Sequence, residues 1–379
     1  MMKRLGDYIR PVDVRNRDLK VTKLVGLTID KAFIPSVANT IGTDLSNYKV
    51  ISENQFACSL MQVSRDGKMP IAMFKGEPCI MSPAYPMFEV SNTSDLLPEY
   101  LMMWFSRSEF DREASFYAVG GVRGSLEWDD FCDMKLPIPS IEKQREIVAE
   151  YNTLQNRIET NKKLIATLEQ TAQALYKHTF VDNIDPNNLP AGWRMGTLGE
   201  LIESASKQHA FDKEKLIFLN TSDILAGDIL HHEYSLVSGM PGQAKKRIQE
   251  NDILFSEIRP ANKRYAFVRE NGTDFVVSTK LMVLRSIQEE VSILRIYHYL
   301  TNPQLLEELQ READGKSGTF PQITFDENLK NRPFLIAADD TEATWSNFFV
   351  AHYNRLWRKI EENLVLSQMS SLLLSKMGA

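Results

Sequence analysis

At 379 residues, with 43% apolar and 25% charged side chains, the chain is too long for one ordinary core and reads as a globular protein of two domains, or three. No apolar run reaches the roughly 18 residues of a membrane span, and the segment from Met1 to Pro11 lacks the apolar block of a signal peptide, so the expected location is the cytoplasm. A net charge of -6 excludes a surface that wraps nucleic acid on every side, because phosphate neutralisation needs a local excess of Lys and Arg; any such contact must come from patches.

In chain order, the first marker is Leu5-Gly6-Asp7-Tyr8-Ile9, followed by Ile51-Ser52-Glu53-Asn54 and Ser59. Cys58, Cys79 and Cys132 are odd in number, far apart and form no CxxC pair, which predicts reduced core residues. The polar loop Gln62-Val63-Ser64-Arg65-Asp66-Gly67-Lys68 and the glycine turn Gly120-Gly121-Val122-Arg123-Gly124 are candidates for close approach to a ligand, and a helix is expected over 97–112. Pro139-Ser140 ends this region. From Ile147 the positions Tyr151, Leu154, Ile158, Asn161, Ile165, Leu168, Ala172 and Leu175 then follow at alternating spacings of four and three, a heptad seam.

The order then begins again. Leu198-Gly199-Glu200-Leu201-Ile202 echoes the first marker at a shift of 193, and Ile248-Gln249-Glu250-Asn251 echoes the second at 197, with Ser256 in register with Ser59. Apolar runs over 252–255, 265–268, 275–277 and 280–284 read as strands, and a helix is expected over 291–311. Near 353 the chain reads HYNRLWRKIEENLVL against EYNTLQNRIETNKKL near 151, seven identities in fifteen at a shift of 202. The distal seam runs through Phe349, Tyr353, Leu356, Ile360 and Asn363, then slips, since Ser367 and Ser370 fall where apolar residues are due and Leu366, Met369 and Leu373 lie beside them.

Three markers in the same order at nearly constant spacing mean a duplicated unit, and a period near 200 means tandem domains, not a solenoid. The predicted fold class is α+β: two mixed strand/helix domains, 1–138 and 183–338, separated by an antiparallel pair of long coiled-coil helices, 139–182 and 339–379. Asn161 and Asn363 occupy the same seam position, where a buried Asn sets register by seeking a polar partner. Ile147 to Leu175 as helix spans on the order of 40 Å, close to the ~34 Å turn of B-DNA.

Between Lys245 and Arg269 seven basic residues (Lys245, Lys246, Arg247, Arg259, Lys263, Arg264, Arg269) face three acidic ones (Glu250, Asp252, Glu257), a local excess suited to phosphate. Asn262 beside these arginines could reach base edges, as Arg pairs with guanine and Asn with adenine. The matching positions of the first unit are Gln62, Ser64, Arg65, Lys68 and Arg123, and Lys316 in Gly315-Lys316-Ser317-Gly318 mirrors the glycine turn. An ordinary solvated rim is the alternative for all of them.

The run from Leu136 to Val148 (LPIPSIEKQREIV), the phrase Leu189-Pro190-Ala191-Gly192-Trp193 before Leu198-Gly199-Glu200, Asn251-Asp252-Ile253-Leu254-Phe255-Ser256 with Arg259-Pro260, and the closing Leu372-Leu373-Leu374-Ser375-Lys376-Met377-Gly378 together resemble the specificity subunits of type I restriction-modification systems. The likeness covers the whole chain and departs from the pattern at Phe334-Leu335-Ile336-Ala337-Ala338, where a Pro-rich junction is usual. It implies two target-recognition domains, each reading half of a split double-stranded DNA target, with the helices setting the gap. It also implies two modification (methyltransferase) subunits that bind S-adenosylmethionine and methylate adenine N6. Motor-nuclease restriction subunits using ATP and Mg²⁺ would complete a defence against foreign DNA. No cofactor and no metal are expected in this chain.

Catalytic patterns fail at specific residues. Asn302-Pro303-Gln304-Leu305 lacks the Pro-Pro-aromatic run of an amino-methyltransferase and reads better as a helix start. Gly315-Lys316-Ser317 ends a phosphate loop whose first Gly is replaced by Gln310, and His231-His232-Glu233 fails the HExxH spacing at Leu236. Asp212-Lys213-Glu214-Lys215 reads as a solvated turn. Two alternatives remain beside the non-catalytic specificity subunit: the recognition subunit of a combined methylation and cleavage system, and a coiled-coil scaffold without DNA binding.

Overall fold

Each marker of the duplication has a backbone or packing cause. Gly6 and Gly199 lie in crowded first turns: a Cβ on Gly6 would meet Cys132 Cβ at 2.9 Å, and one on Gly199 would meet the Lys330 carbonyl oxygen at 2.9 Å. Asn54 and Asn251 take left-handed backbone, with φ of 66° and 69°, a region Asn tolerates better than other residues with a Cβ. Each closes the same turn, its N–H donating to Phe74 O at 2.9 Å or to Val268 O at 2.8 Å.

The computed structural model describes residues 2–36, 42–61, 63–119, 124–315 and 321–378. It divides into two units, Met1–Lys163 with Ile360–Ala379, and Leu164–Lys359. In the first unit the main sheet runs Ile9–Pro11, Met87–Val90, Phe56–Cys58, Ile71–Met73, with every neighbour antiparallel. The second unit repeats that order as Ile202–Ser204, Leu281–Ser286, Ile253–Ser256, Tyr265–Phe267. It adds a sheet of Tyr234–Leu236, Lys215–Leu219, Phe275–Ser278 and Ala244–Arg247, in which Lys215–Leu219 and Phe275–Ser278 are parallel. The four apolar runs read as strands are therefore strands, each displaced by a residue or two at its ends. Ile253–Ser256 buries every side chain, which explains its unbroken apolar run.

A two-stranded ribbon closes each unit: Met2–Arg4 with Lys135–Pro137, and Arg194–Thr197 with Pro333–Ile336. Each long helix, Ile141–Lys177 and Asp339–Lys376, starts a few residues beyond that ribbon. Its first turn carries one buried polar anchor. Gln144 accepts from Leu97 N at 2.8 Å and donates to Asp95 O at 2.8 Å and Pro139 O at 3.0 Å. Glu342 accepts from Ala337 N at 2.9 Å and pairs with Arg295, whose guanidinium lies 3.8 Å above the Phe180 ring.

Two expected helices are each broken once, at matching points. The span 97–112 divides into Pro98–Phe105 and Ser108–Tyr117, and 291–311 divides into Ile293–Leu300 and Pro303–Asp314. Asn302 caps the last of these by accepting from Gln304 N at 2.9 Å, and the following Pro disfavours helical backbone at Asn302. At the first break Ser106 Oγ turns back to Met102 O at 2.8 Å and Arg107 is extended, a geometry with no proline to announce it. The first core is aromatic, with Phe56 stacked on Phe88 at 5.0 Å. Cys58, Cys79 and Cys132 are buried and unpaired, as expected.

The long helices pair antiparallel. In the first unit Gln155 Nε2 donates to Ser370 Oγ at 3.1 Å and Asn161 Nδ2 donates to Asn363 Oδ1 at 3.0 Å. In the second, Tyr176 meets Phe349 at 6.4 Å between ring centroids and Phe180 meets Trp345 at 5.0 Å. Numbers thus rise along one helix as they fall along its partner. The seam departs from strict heptads at two places. Leu175 is 41% exposed and Tyr176 takes its place, a spacing of four from Ala172 that repeats to Phe180, because the larger ring fills the aromatic cluster around Phe349. After Asn363 the distal seam passes to the half-buried Leu366 and the buried Ser370 and Met377, leaving Ser367 exposed.

Candidate nucleic-acid interface

The basic stretch of the second unit falls into two places. The first is the loop at Arg259–Arg264, where a 3-10 turn, Pro260–Asn262, is flanked by two non-glycine residues in left-handed backbone, Arg259 at φ 48° and Lys263 at φ 54°. Such strain persists only where neighbours enforce it. Here Arg259 N donates to Pro321 O at 3.2 Å, Ala261 N to Gln310 Oε1 at 3.2 Å, and Lys263 O accepts from Ala226 N at 2.7 Å. Arg259, Asn262 and Lys263 are exposed. Arg264 instead turns its guanidinium to Ser222 O and Ile224 O, both at 3.0 Å. Burial raises the Glu169 carboxyl on the long helix, and the charge of Lys263 opposes that rise, so Lys263 faces the helix within this unit.

The second place is the strand Ala244–Arg247. Lys245 and Arg247 are exposed, whereas Lys246 points inward and donates to Leu281 O at 2.8 Å and Thr279 O at 3.1 Å. Burial pushes its ammonium pKa down. Beside this strand lies a cleft of about 180 Å³ lined by Lys207, Gln208, His209, Ala210, Asp212, Lys213, Arg247 and Thr273. Lys207 and His209 escaped the sequence reading because they lie outside the basic stretch. The Lys-x-Arg alternation at Lys245 and Arg247, which puts both on one strand face, is the signal that points there. Lys213, in the turn read as solvated, pairs with Asp274.

In the first unit Ser64 and Arg65 lie on the single turn Val63–Asp66. Arg65 Nε donates to the adjacent Asp66 at 2.6 Å, and Lys68 pairs with Asp30 at 3.3 Å. The glycine turn meets this loop: Gly124 has φ 71°, and a Cβ there would lie 2.2 Å from Ser64 Oγ. Lys31 pairs with Asp111 at 2.9 Å behind them, and burial lowers its pKa. Gln62, Arg123 and Lys316 lie outside the described residues.

His231 lies 3.5 Å from Asp223 and His232 lies 3.0 Å from Glu270, so the two imidazoles face separate carboxylates. Among the described residues no cluster of His, Cys, Asp and Glu has the grouping to hold a metal ion, and no helix is long and apolar enough to cross a membrane. The interface offers cations, amides and backbone on exposed loops: groups that hold phosphates and read base edges.

A family model described as the type I restriction modification DNA specificity domain matches residues 8–170 and again 190–342. The chain is similar to the HindI specificity subunit of Haemophilus influenzae, 42% identical over 135 residues, which is 35% of this chain and 29% of that protein. It is also similar to the MjaIX specificity subunit of Methanocaldococcus jannaschii, 21% identical over 305 residues, or 74% of this chain and 68% of that one. The match thus spans less than a third of the Haemophilus relative. Among solved structures, the type I restriction-modification S subunit from M. genitalium superposes with a TM-score of 0.64 at 12% identity, covering 100% of this chain and 96% of that one, a likeness of fold.

Proposed function

We propose, for a chain that belongs to the family of type I restriction modification DNA specificity domains, that each of its two units reads one half of a split target in double-stranded DNA. The paired helices keep the two halves of the target a set number of base pairs apart, and the chain performs no reaction itself. Modification subunits carrying S-adenosylmethionine methylate adenine N6 at the sites so chosen, and motor-nuclease subunits supply ATP- and Mg²⁺-dependent restriction.

The observation that carries this reading is the doubling of one fold with unlike surfaces. Both units have the same sheet order, the same ribbon and the same turn at Asn54 and Asn251, while their exposed loops differ residue by residue. A shared scaffold with different loops suits two different half-sites, since base readout belongs to a few side chains on a fixed frame. In the first unit the contacts come from Ser64, Arg65 and Lys68, and in the second from Lys245, Arg247, Arg259, Asn262 and Lys263. The distal helix also leaves Leu364, Val365, Met369 and Leu372 between 50% and 61% exposed, an apolar stripe that suits a partner's helices.

Selection from a pool of random duplexes, with the full chain assembled on its modification subunits, tests the reading. Two constant blocks separated by an unconstrained gap of constant length are expected; one continuous block, or no enrichment, would overturn it.

A further inference from the structure

In each unit two extended segments outside the main sheets meet at a single antiparallel rung, Arg15 opposite Lys49 and Gln208 opposite Lys246. The flanking hydrogen bonds match. Asn16 N donates to Tyr48 O at 3.0 Å and Val50 N to Val14 O at 2.7 Å; His209 N donates to Lys245 O at 2.8 Å and Arg247 N to Lys207 O at 2.9 Å. The rungs are copies of one another, at the same shifts of 193 and 197 that relate the sequence markers.

The inner side of the rung is also duplicated. Lys49 Nζ donates to Tyr85 O at 2.9 Å as Lys246 Nζ does to Thr279 O and Leu281 O, and burial lowers both pKa values. Asn16 and His209 are both buried and both order the next turn, the first through Val21 and the second by accepting from Phe211 N at 2.9 Å. These four residues are scaffold.

The outer side differs. Where the first unit sets Val14 opposite Val50, the second sets Lys207 opposite Arg247, both exposed. Directly opposed side chains on an antiparallel pair stand about 5 Å apart at Cβ, and like charges there are destabilising. Among the described residues neither Lys207 nor Arg247 has an ion pair or side-chain hydrogen bond. The only carboxylate lining their cleft is Asp212, and its neighbour Lys213 is also cationic, held by Asp274. Two opposed cations with no counter-charge, on a frame that elsewhere carries two valines, await an anion. An Arg fork and a Lys ammonium at the mouth of a cleft of about 180 Å³ suit a phosphodiester, which spreads its charge over two free oxygens.

We infer that Lys207 and Arg247 hold a backbone phosphate of the DNA bound by the second unit, a contact the first unit lacks. The inference rests on the DNA-reading role proposed above. It makes phosphate anchoring unequal between the halves, with Lys246 as a buried strut beneath the site.

The test measures equilibrium binding of the full chain on its modification subunits, by fluorescence anisotropy, against the selected duplex and a mixed-sequence duplex across a salt series. The double variant Lys207→Ala with Arg247→Ala is expected to flatten the plot of log affinity against log salt by roughly two units, about 0.9 per lost phosphate contact, so the wild type loses about tenfold more affinity between about 50 and 200 mM salt. Both duplexes weaken alike, and the exchange Lys207→Arg with Arg247→Lys keeps the wild-type slope. An unchanged slope in the alanine variant, with the wild type still preferring its selected duplex, overturns this inference and leaves the DNA-reading role standing. Lost preference without a change of slope also overturns it, by assigning the pair to bases. A wild type that binds neither duplex defeats both.

Discussion

Asn161 Nδ2 donates to Asn363 Oδ1 over 3.0 Å, so a residue and its own duplicate, 202 positions apart, are hydrogen-bonded to each other. In an antiparallel pair of duplicated helices, equivalent residues meet at one point only, and this is that point. The bond fixes the register there: a slip of one turn would leave an amide, 2% exposed at Asn161, facing leucine or isoleucine.

Replacing Asn161 alone by Leu strands the Asn363 amide, which costs about 1–3 kcal/mol as a buried unsatisfied group. Replacing both by Leu removes the conflict and recovers most of that loss, at the expense of register. Urea midpoints of the two single variants and the double variant check this; equal destabilisation by the single and double changes would show that the amides do not act on one another.

The Arg295–Glu342 pair is buried, with Arg295 fully enclosed and its guanidinium 3.8 Å over Phe180 and 4.7 Å over Phe334. Glu342→Gln leaves a buried cation without its counter-charge and is expected to destabilise by about 3–5 kcal/mol. Thermal unfolding measures it. A loss no larger than that of a surface ion pair, below about 1 kcal/mol, would contradict the anchoring role.

Burial pushes the His298 imidazole down to about 4, with His352 adding to the effect and Tyr353 OH 3.1 Å from Nδ1. The folded form therefore stays neutral where the unfolded chain, at its ordinary value near 6.5, already binds a proton. Stability from this group is complete above that value and is lost as pH falls toward about 4, on the order of 3 kcal/mol in all. His298→Gln, which cannot titrate, is expected to flatten the stability profile across this window, as followed by denaturant midpoints at several pH values.

Asn251 holds a left-handed turn at φ 69°. Asn251→Ala is expected to cost about 1 kcal/mol, while Asn251→Gly is nearly neutral, because only the former adds a clash of Cβ with the backbone in that region. The same contrast is expected at Asn54. Calorimetric midpoints for the four variants decide it.

Much of the scaffold was legible in the sequence because its constraints are local and recur. Gly6 and Gly199 are crowded, Asn54 and Asn251 are left-handed, and the seam repeats every third and fourth residue, so each leaves a mark in one dimension. What stayed hidden depends on partners. Lys245, Lys246 and Arg247 are equivalent as charges, yet only the middle one reaches the Thr279 and Leu281 carbonyls, more than thirty residues away. Arg264 reads like Arg259 but serves the Ser222 and Ile224 carbonyls. Lys207 contributes to the basic face through a rung with a strand 38 residues further on, which no local count of charge detects. The exchange of Leu175 for Tyr176 in the seam follows from ring volume in a cluster built by Phe180, Trp345 and Phe349, none of which the heptad pattern weighs.

Sequencing the adenine methylome of cells with and without this gene, and of cells carrying the chain with the second-unit segment 190–342 exchanged for that of a relative, tests the two-reader account most directly. The account predicts a split motif that disappears with the gene and that changes on one side only, at a constant gap, after the exchange. A continuous motif, a methylome indifferent to the gene, or a change on both sides would contradict it.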